Sequence, residues 1–436
     1  MMMHKLKQNI GWNLVILFST LPIIIWIFTA KIEPIFTNIS TLSASIGEIF
    51  GLVGIVMFSL NFILATRLHF IEKLFNGLNN VYQKHNLLGQ TAFILLLFHP
   101  LLLAPRYSST LKEAASFLWI GDSLGRNLGI FALMTMLLLI TLTLYLRPKY
   151  NIWKVTHKFF GLALFLGSLH AYLIPSYIME NPILKMYVLG FAILGIFAFV
   201  YRTILGRFLI RKFEYVVQNV KKLGNKTIEI TLKPKNKKII FIPGQFIFIS
   251  FLQKGLTREE HPFSILSSPD EDLLKITVKA SGDYTQQLFN NLQKGAVAKI
   301  EGSFGSFSYK NYSNKNQIWI AGGIGITPFV SFIKSIKPGL GYNIKLFYCV
   351  RRKDEAFYLN LFKQYDQSFN NAFQVIPFYS EEKGHISIEY IHKVIPNINE
   401  YDFYICAPPR MIQELRKDLT SCGIQTSKIH SEEFDF

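Results

Sequence analysis

Six apolar stretches crowd the first half of this 436-residue chain: roughly Trp12–Ala30, Ile46–Ala65, Tyr82–Ala104, Asn127–Leu146, Ile152–Ile174 and Ile183–Leu205. Each approaches or exceeds the ~20 residues with which a helix crosses a bilayer. In hydrocarbon every backbone N–H and C=O must be satisfied within its own segment, so such runs fold as helices. Lys5 and Lys7 give the first stretch the flank of a signal peptide, but no small-residue cleavage site follows and five more runs do. The expectation is an all-α, six-helix membrane bundle over residues 1–211.

Charge then orients the bundle. Lys5 and Lys7, Arg67 and Lys73, Arg147 and Lys149, then Arg202, Arg207, Arg211 and Lys212 fall on one side; the other holds mainly Lys31, Arg106, Lys112 and Lys185. Positive loops stay in the cytoplasm, which predicts an inner-membrane protein with both termini, and all that follows the last span, cytoplasmic. The net charge of +18 would suit nucleic acid. Much of it flanks apolar segments or lies in one later region, so it reads as membrane orientation plus an anionic cofactor. Lipid is the indicated partner, with no nucleic acid and no obligate protein partner. Only 17% of residues are charged, against roughly 25% in soluble domains.

After about Arg211 the texture changes to alternating polar and apolar residues, as in Lys226–Leu232 (KTIEITL) and Gln245–Phe251 (QFIFISF), with Gly, Pro and Asn turns. This region of about 225 residues has room for two soluble domains. Cys349, Cys406 and Cys422 all lie in it, on the reducing side, which argues against a disulfide framework. Three cysteines also fall short of the four that ligate an iron–sulfur cluster.

Two of the expected spans carry paired histidines. His85 and His99 are fourteen residues apart on the third, and His157 and His170 thirteen apart on the fifth. These spacings are about 21 and 20 Å along a helix. Both spans start from the cytoplasmic side, so His85 and His157 share an inner depth and His99 and His170 an outer one. The first pair lies about 40° from a common face, but the second is about 140° apart on a straight helix. The fifth span must therefore kink, bulge or let its ligands reach around. Two neutral imidazoles facing each other at one depth are what six-coordinate haem iron requires. Histidines also sit at membrane interfaces or hydrogen-bond inside bundles, but four, matched by depth on two helices, favour a functional reading. His4 and His69 lack depth-matched partners.

The later half carries motifs in order: Ile242-Pro-Gly-Gln-Phe-Ile-Phe248, His261-Pro-Phe-Ser264, Lys279-Ala-Ser-Gly-Asp-Tyr-Thr285 and Glu301-Gly-Ser-Phe-Gly-Ser-Phe307. A strand with a Pro/Gly lead-in, then small and hydroxylated residues beside an aromatic, can offer backbone amides and a flat wall to a flavin. HPFS alone is also an ordinary strand start. In Gln317-Ile-Trp-Ile-Ala-Gly-Gly-Ile-Gly-Ile-Thr-Pro-Phe329 an apolar strand breaks into glycines and enters a helix. Thr327 is placed to cap that helix and Pro328 to sit in its first turn, so backbone amides can meet a pyrophosphate. The spacing is not GxGxxG, and a glycine turn has bland readings too. Ile344–Val350 ends in Arg351-Arg352-Lys353, where guanidinium groups can hold a 2′-phosphate or simply form a solvated turn. Tyr401–Ile405 ends in Cys406-Ala-Pro-Pro-Arg-Met411, at the mouth where a nicotinamide would lie.

With these motifs the chain resembles the NADPH oxidase and ferric reductase superfamily in its short bacterial form. The histidine pairs, HPFS, KASGDYT, AGGIGITPF, CAPPRM and the terminal Glu432-Glu-Phe-Asp-Phe436 carry the likeness. It implies a di-haem membrane domain at 1–211, an FAD-binding β-barrel at 212–312 and an NAD(P)-binding α/β domain at 313–436, the last two similar to ferredoxin-NADP reductase. By resemblance His261, Pro262, Phe263 and Ser264 line FAD, and Lys279 and Thr285 lie near its phosphates. Gly322, Gly323, Gly325, Thr327 and Pro328 hold the dinucleotide. Phe434, or else Phe436, covers the isoalloxazine ring, and Cys406 stands at the nicotinamide. The family's usual Cys-Gly-Pro reads Cys-Ala-Pro here.

The implied activity is electron transfer from cytoplasmic NADPH or NADH through FAD and two b-type haems to an outer acceptor. Oxygen, giving superoxide, is the first expectation, because the external loops are short and hold no iron-binding cluster of Asp, Glu, His or Cys. A ferric-chelate reductase with the same donor path is the alternative; Arg106 would attract an anionic chelate or superoxide equally well, or simply anchor the interface. A membrane transporter or haem carrier with a nucleotide-binding tail would instead show broken helices around a midplane site.

Overall fold

The computed structural model describes residues 10–29, 38–107, 110–146, 148–175, 181–369 and 371–433. The chain forms two compact units that divide between Ile210 and Arg211. The first contains helices α1 (Ile10–Thr29), α2 (Ile39–Leu64), α3 (Leu78–Leu103), α4 (Leu124–Thr141), α5 (Phe160–Leu173) and α6 (Pro182–Phe199), joined by shorter helical turns. Their outward faces carry large apolar side chains, among them Leu138 at 61%, Met186 at 76% and Phe197 at 70% exposure. Covering one such side chain is worth about 1.5–3 kcal/mol, so these faces call for lipid.

Among the described residues five helical stretches are long and apolar enough to span a bilayer: Ile10–Phe28, Ile39–Leu64, Leu78–Arg106, Leu124–Leu146 and Pro182–Ile204. The fifth expected span, Ile152–Ile174, is interrupted, so five of the six expected spans are continuous among the described residues. Helix Tyr150–His157 ends at a turn through Lys158 and Phe159, and α5 starts at Phe160 and runs only 14 residues. At 1.5 Å per residue α5 is about 21 Å long, short of a hydrocarbon core of about 30 Å. Across the break the backbone tightens to i→i+3 bonds, Gly161 N to Lys158 O at 3.1 Å and Leu162 N to Phe159 O at 2.9 Å. This is the kink that the thirteen-residue spacing of His157 and His170 demands.

Glycines let α2 and α3 approach. A Cβ on Gly54 would lie 2.8 Å from Leu96 Cγ, and one on Gly47 3.1 Å from the carbonyl oxygen of His99. Such small-residue seams are how helices pack where apolar burial against lipid gains little.

In the second unit, β1 (Phe213–Gly224), β2 (Thr227–Pro234), β3 (Phe246–Leu252), β4 (His261–Ser264), β5 (Leu274–Lys279) and β6 (Val297–Phe304) form an antiparallel sheet in the order β4-β3-β6-β1-β2-β5. Beside its two edges the chain makes a single antiparallel bridge, Ile265 to Ile276. A parallel sheet follows, built from β7 (Asn316–Gly322), β8 (Asn343–Val350), β9 (Phe373–Tyr379), β10 (Asp402–Cys406) and β11 (Ile429–Glu432) in the order β11-β10-β7-β8-β9. Alternate residues of β7 serve two cores, Trp319 and Ala321 on one face and Ile318 and Ile320 on the other. Both faces are covered, as parallel sheets require. Strand order reverses between β7 and β10, and ligands of such sheets bind at the carboxyl ends of the strands at that switch point.

Candidate metal and dinucleotide sites

In the membrane unit the structure brings His85 together with His157 and His99 with His170, ring centres 6.3 Å apart in each pair. Two metal–imidazole bonds of about 2.0 Å, with about 1.1 Å from each nitrogen to its ring centre, span about 6.2 Å, so each pair is spaced for one metal between its rings. No group of three His, Cys, Asp or Glu side chains suited to a metal occurs among the described residues. Two protein ligands leave the other coordination positions of an iron to a macrocycle.

Backbone carbonyls hold three of the four rings. His85 Nδ1 lies 3.1 Å from the oxygen of Asn61, His99 Nδ1 2.7 Å from Gly47 O and His170 Nδ1 2.8 Å from Gly125 O. A carbonyl only accepts, so Nδ1 carries the proton and Nε2 keeps the lone pair that a metal takes. Both His99 and His170 also sit in a glycine notch. A Cβ on Gly51 would lie 2.6 Å from His99 Nδ1, and one on Gly129 2.8 Å from His170 Nδ1. The sequence reading passed over this device, whose signal is a glycine four residues beyond the accepting carbonyl in both helices. His157 differs: its Nδ1 is buried with no hydrogen-bond partner.

In the antiparallel sheet β4 carries the expected flavin residues, with Ser264 opposite Phe246 and His261 opposite Ile249 on β3. Ser264 Oγ is buried without a hydrogen-bond partner, a polar atom poised for a ligand. His261 stacks on Tyr284 at 4.4 Å, its Nε2 2.9 Å from Glu259 Oε2. Phe263 packs against the sheet core and Pro262 is half-buried. Thr285 is held in the turn before its helix. Its oxygen accepts from Ser281 N and Gly282 N at 3.0 and 2.9 Å and donates to Gly282 O at 3.1 Å, so it shapes the turn before helix Asp283–Asn291. Exposed Lys279 is the cation at that turn.

At the switch point three strand ends stand side by side: Ala321 on β7 pairs with Cys406 on β10, and Cys406 with Glu432 on β11. Beyond β7, Gly322 packs where a Cβ would meet Ala407 at 2.8 Å, and Gly325 leaves no room at all, its Cβ falling 2.0 Å from Cys406 O. Gly323 has φ +58°, the left-handed region that suits glycine. Pro328 lies in the first turn of helix Thr327–Ser335 as expected, but Thr327 does not cap it. Its hydroxyl donates back to Ile324 O at 3.1 Å, the carbonyl that also accepts from its own backbone N–H. The Cys406 thiol is held neutral by burial and then by the Glu432 carboxyl beside it. Arg351, 72% exposed, faces Glu381 at 3.6 Å, and Arg352 makes two contacts with Asp354 at 3.2 and 3.3 Å. Glu381 and Glu432 are the polar residues the sequence reading did not assign here. Phe434 and Phe436 lie outside the described residues.

Comparison with known proteins bears on both units. Residues 50–168 match the family described as ferric reductase like transmembrane component, 212–322 an FAD-binding domain and 319–417 an oxidoreductase NAD-binding domain. A flavohemoprotein of Candida albicans is 28% identical over 43% of this chain and 51% of its own length. Ferric reduction oxidase 8, mitochondrial, of Arabidopsis thaliana is 34% identical over 26% of this chain and 16% of its own. A superoxide-generating NADPH oxidase heavy chain of Dictyostelium discoideum is 28% identical over 26% and 19%. The chain thus spans about half the length of the first of these curated relatives and under a fifth of the other two. Among solved structures, the FAD/NAD-binding domain of a Vibrio cholerae nitric oxide dioxygenase aligns over 51% of this chain and 99% of its own at 22% identity and a TM-score of 0.46. With the ferric reductase transmembrane component and both dehydrogenase domains matched in succession on one chain, this protein carries the domains of an oxidoreductase and is similar to the ferric reductase and NADPH oxidase superfamily.

Proposed function

We propose that this protein carries electrons across a membrane, from cytoplasmic NAD(P)H through FAD and two b-type haems to oxygen on the outer face, which becomes superoxide. The observation that carries this reading is the pair of imidazole pairs, each spaced for one iron, in the unit that matches the ferric reductase transmembrane component. The domains are taken as 1–211, 212–312 and 313–436, with both termini cytoplasmic. When bound, FAD converts a hydride's two electrons into single electrons and haem relays them one at a time.

The chain's own residues bind, orient and exclude water. His85 and His157 would hold the inner iron, and His99 and His170 the outer. The carbonyls of Asn61, Gly47 and Gly125 keep three of those rings turned with Nε2 toward the metal. In the second unit, Lys279 and β4 would seat FAD, and the glycine turn Gly322–Gly325 ahead of helix Thr327–Ser335 would take the dinucleotide's pyrophosphate. Gly305 joins the two sheets at this point: a Cβ there would lie 3.1 Å from Phe246, which pairs with Ser264, and 3.4 Å from Glu432 Oε1. Ser264, Cys406 and Glu432 would thereby surround the position of hydride exchange with a hydroxyl, a neutral thiol and a carboxyl.

Arg106 bears on the acceptor. It lies 3.5 Å from Glu48, so its charge is balanced and offers little to an anionic ferric chelate, whereas neutral oxygen needs no cation. Ferric-chelate reduction is the second reading, supported by the likeness to the Arabidopsis ferric reduction oxidase. The test is to reduce detergent-purified, FAD-supplemented protein with NADPH under nitrogen, follow the haem absorbance, and inject oxygenated buffer or ferric citrate. Faster reoxidation by oxygen supports the oxidase reading, and faster reoxidation by the chelate replaces it with a ferric reductase.

A further inference from the structure

The two histidine pairs share a spacing but not a support. His99 and His170 each donate from Nδ1 to a backbone carbonyl and each occupy a glycine notch. His85 donates to Asn61 O. Of the four, His157 has a buried Nδ1 with no partner, and its ring lies against Trp153 at 4.9 Å and Phe160 at 5.0 Å between centres.

Two further features lie at His157. It is the last residue of its helix, directly before the turn through Lys158 and Phe159, so no continuous helix fixes its backbone from the far side. On the flank of that turn a cavity of about 620 Å³ is lined by Val155, Lys158, Phe159, Gly161 and residues of α5 and α6. The backbone next to His157 thus has an open side to move into.

Resting on the di-haem reading above, we infer that His157 is an exchangeable axial ligand, so that the inner site, unlike the outer, admits a small neutral π-acceptor such as carbon monoxide. Hydrogen bonds to a metal-ligating histidine fix its orientation and basicity, and losing one costs about 10–100-fold in metal affinity. In the exchange the His157 nitrogen leaves the iron and the carbon of CO takes its place. The iron stays ferrous, and no electron or proton is transferred. The inner site should bind CO about 10–100-fold more tightly than the outer.

The experiment is a CO titration of the full-length protein, purified in detergent and reduced with dithionite, with bound CO read from the Soret difference spectrum per haem. About half of the haem is expected to respond. In His170→Ala the responding share should rise to nearly all of the haem present, whether the outer haem opens or is lost. In His157→Ala it should stay at about half or fall to none, depending on whether the inner haem is retained. A wild-type protein whose haem binds no CO, or binds it entirely, overturns the inference, as does a responding share that rises to nearly all in His157→Ala. A protein with no haem band at all refutes the di-haem reading instead.

Discussion

His170 donates from Nδ1 to Gly125 O at 2.8 Å, and one turn further along α4 Gly129 leaves the imidazole just enough room, since a Cβ there would lie 2.8 Å from the same nitrogen. Gly47 and Gly51 repeat the relationship for His99. One glycine supplies the acceptor and the next, four residues on, supplies the space.

Filling that space should displace the ring. Gly129→Ala and Gly51→Ala each put a methyl group within 3.0 Å of an imidazole nitrogen, closer than van der Waals packing allows. Each variant is expected to lose about half of the bound haem, read as haem per chain after purification. Gly190→Ala, where an added Cβ meets nothing within 4 Å, should keep the full amount.

The cysteines separate by exposure. Cys422 is exposed, whereas Cys349 and Cys406 are buried and burial raises both thiols above their ordinary range. A maleimide should label one cysteine per native chain at pH 7, with no second site appearing up to pH 9. The same groups make stability fall in alkali. An unfolded thiol ionises near about pH 8.5 while the folded one keeps its proton, so the unfolded state loses protons first and stability declines above that pH. Heat-induced release of FAD should therefore begin at lower temperature at pH 9.5 than at pH 7.5.

In the proposed site Arg351 would bind the 2′-phosphate of NADPH and Glu381, 3.6 Å away, would compete for its guanidinium. A charge-assisted hydrogen bond is worth about 1.5–3 kcal/mol, so Arg351→Ala should weaken the preference for NADPH over NADH by about tenfold or more. Glu381→Gln releases the guanidinium and should lower KM for NADPH several-fold while leaving that for NADH alone. An unchanged ratio in the Arg351 variant removes this residue from the 2′-phosphate site.

Gly325 tests the turn beyond β7. Its missing Cβ is what lets the turn lie on Cys406 O, so Gly325→Ala must push the two segments apart. The variant should cost about 1–3 kcal/mol of stability and weaken nucleotide binding in an equilibrium titration.

Much of this molecule was legible in its sequence. Long apolar runs against short alternating ones separated the membrane unit from the sheets, and the glycines after Gln317-Ile-Trp-Ile-Ala marked the end of β7. The break at Lys158 and Phe159 was not legible as a place, because neither residue is a helix breaker; only the phase mismatch of His157 and His170 hinted that a kink was needed. Thr327 looked like a cap because Thr before Pro at a helix start usually is one, but its hydroxyl is satisfied inside the preceding turn. Glu381 and Glu432 come to the site through strand register and loop packing, from positions 30 and 26 residues beyond Arg351 and Cys406. No local pattern encodes such pairings.

The most direct measurement counts haem. The pyridine haemochrome of the purified chain should give two haems, and His85→Ala and His99→Ala should each give about one, with a double His85→Ala/His99→Ala variant giving none. Full haem retained in the double variant would contradict the assignment of these histidines as ligands.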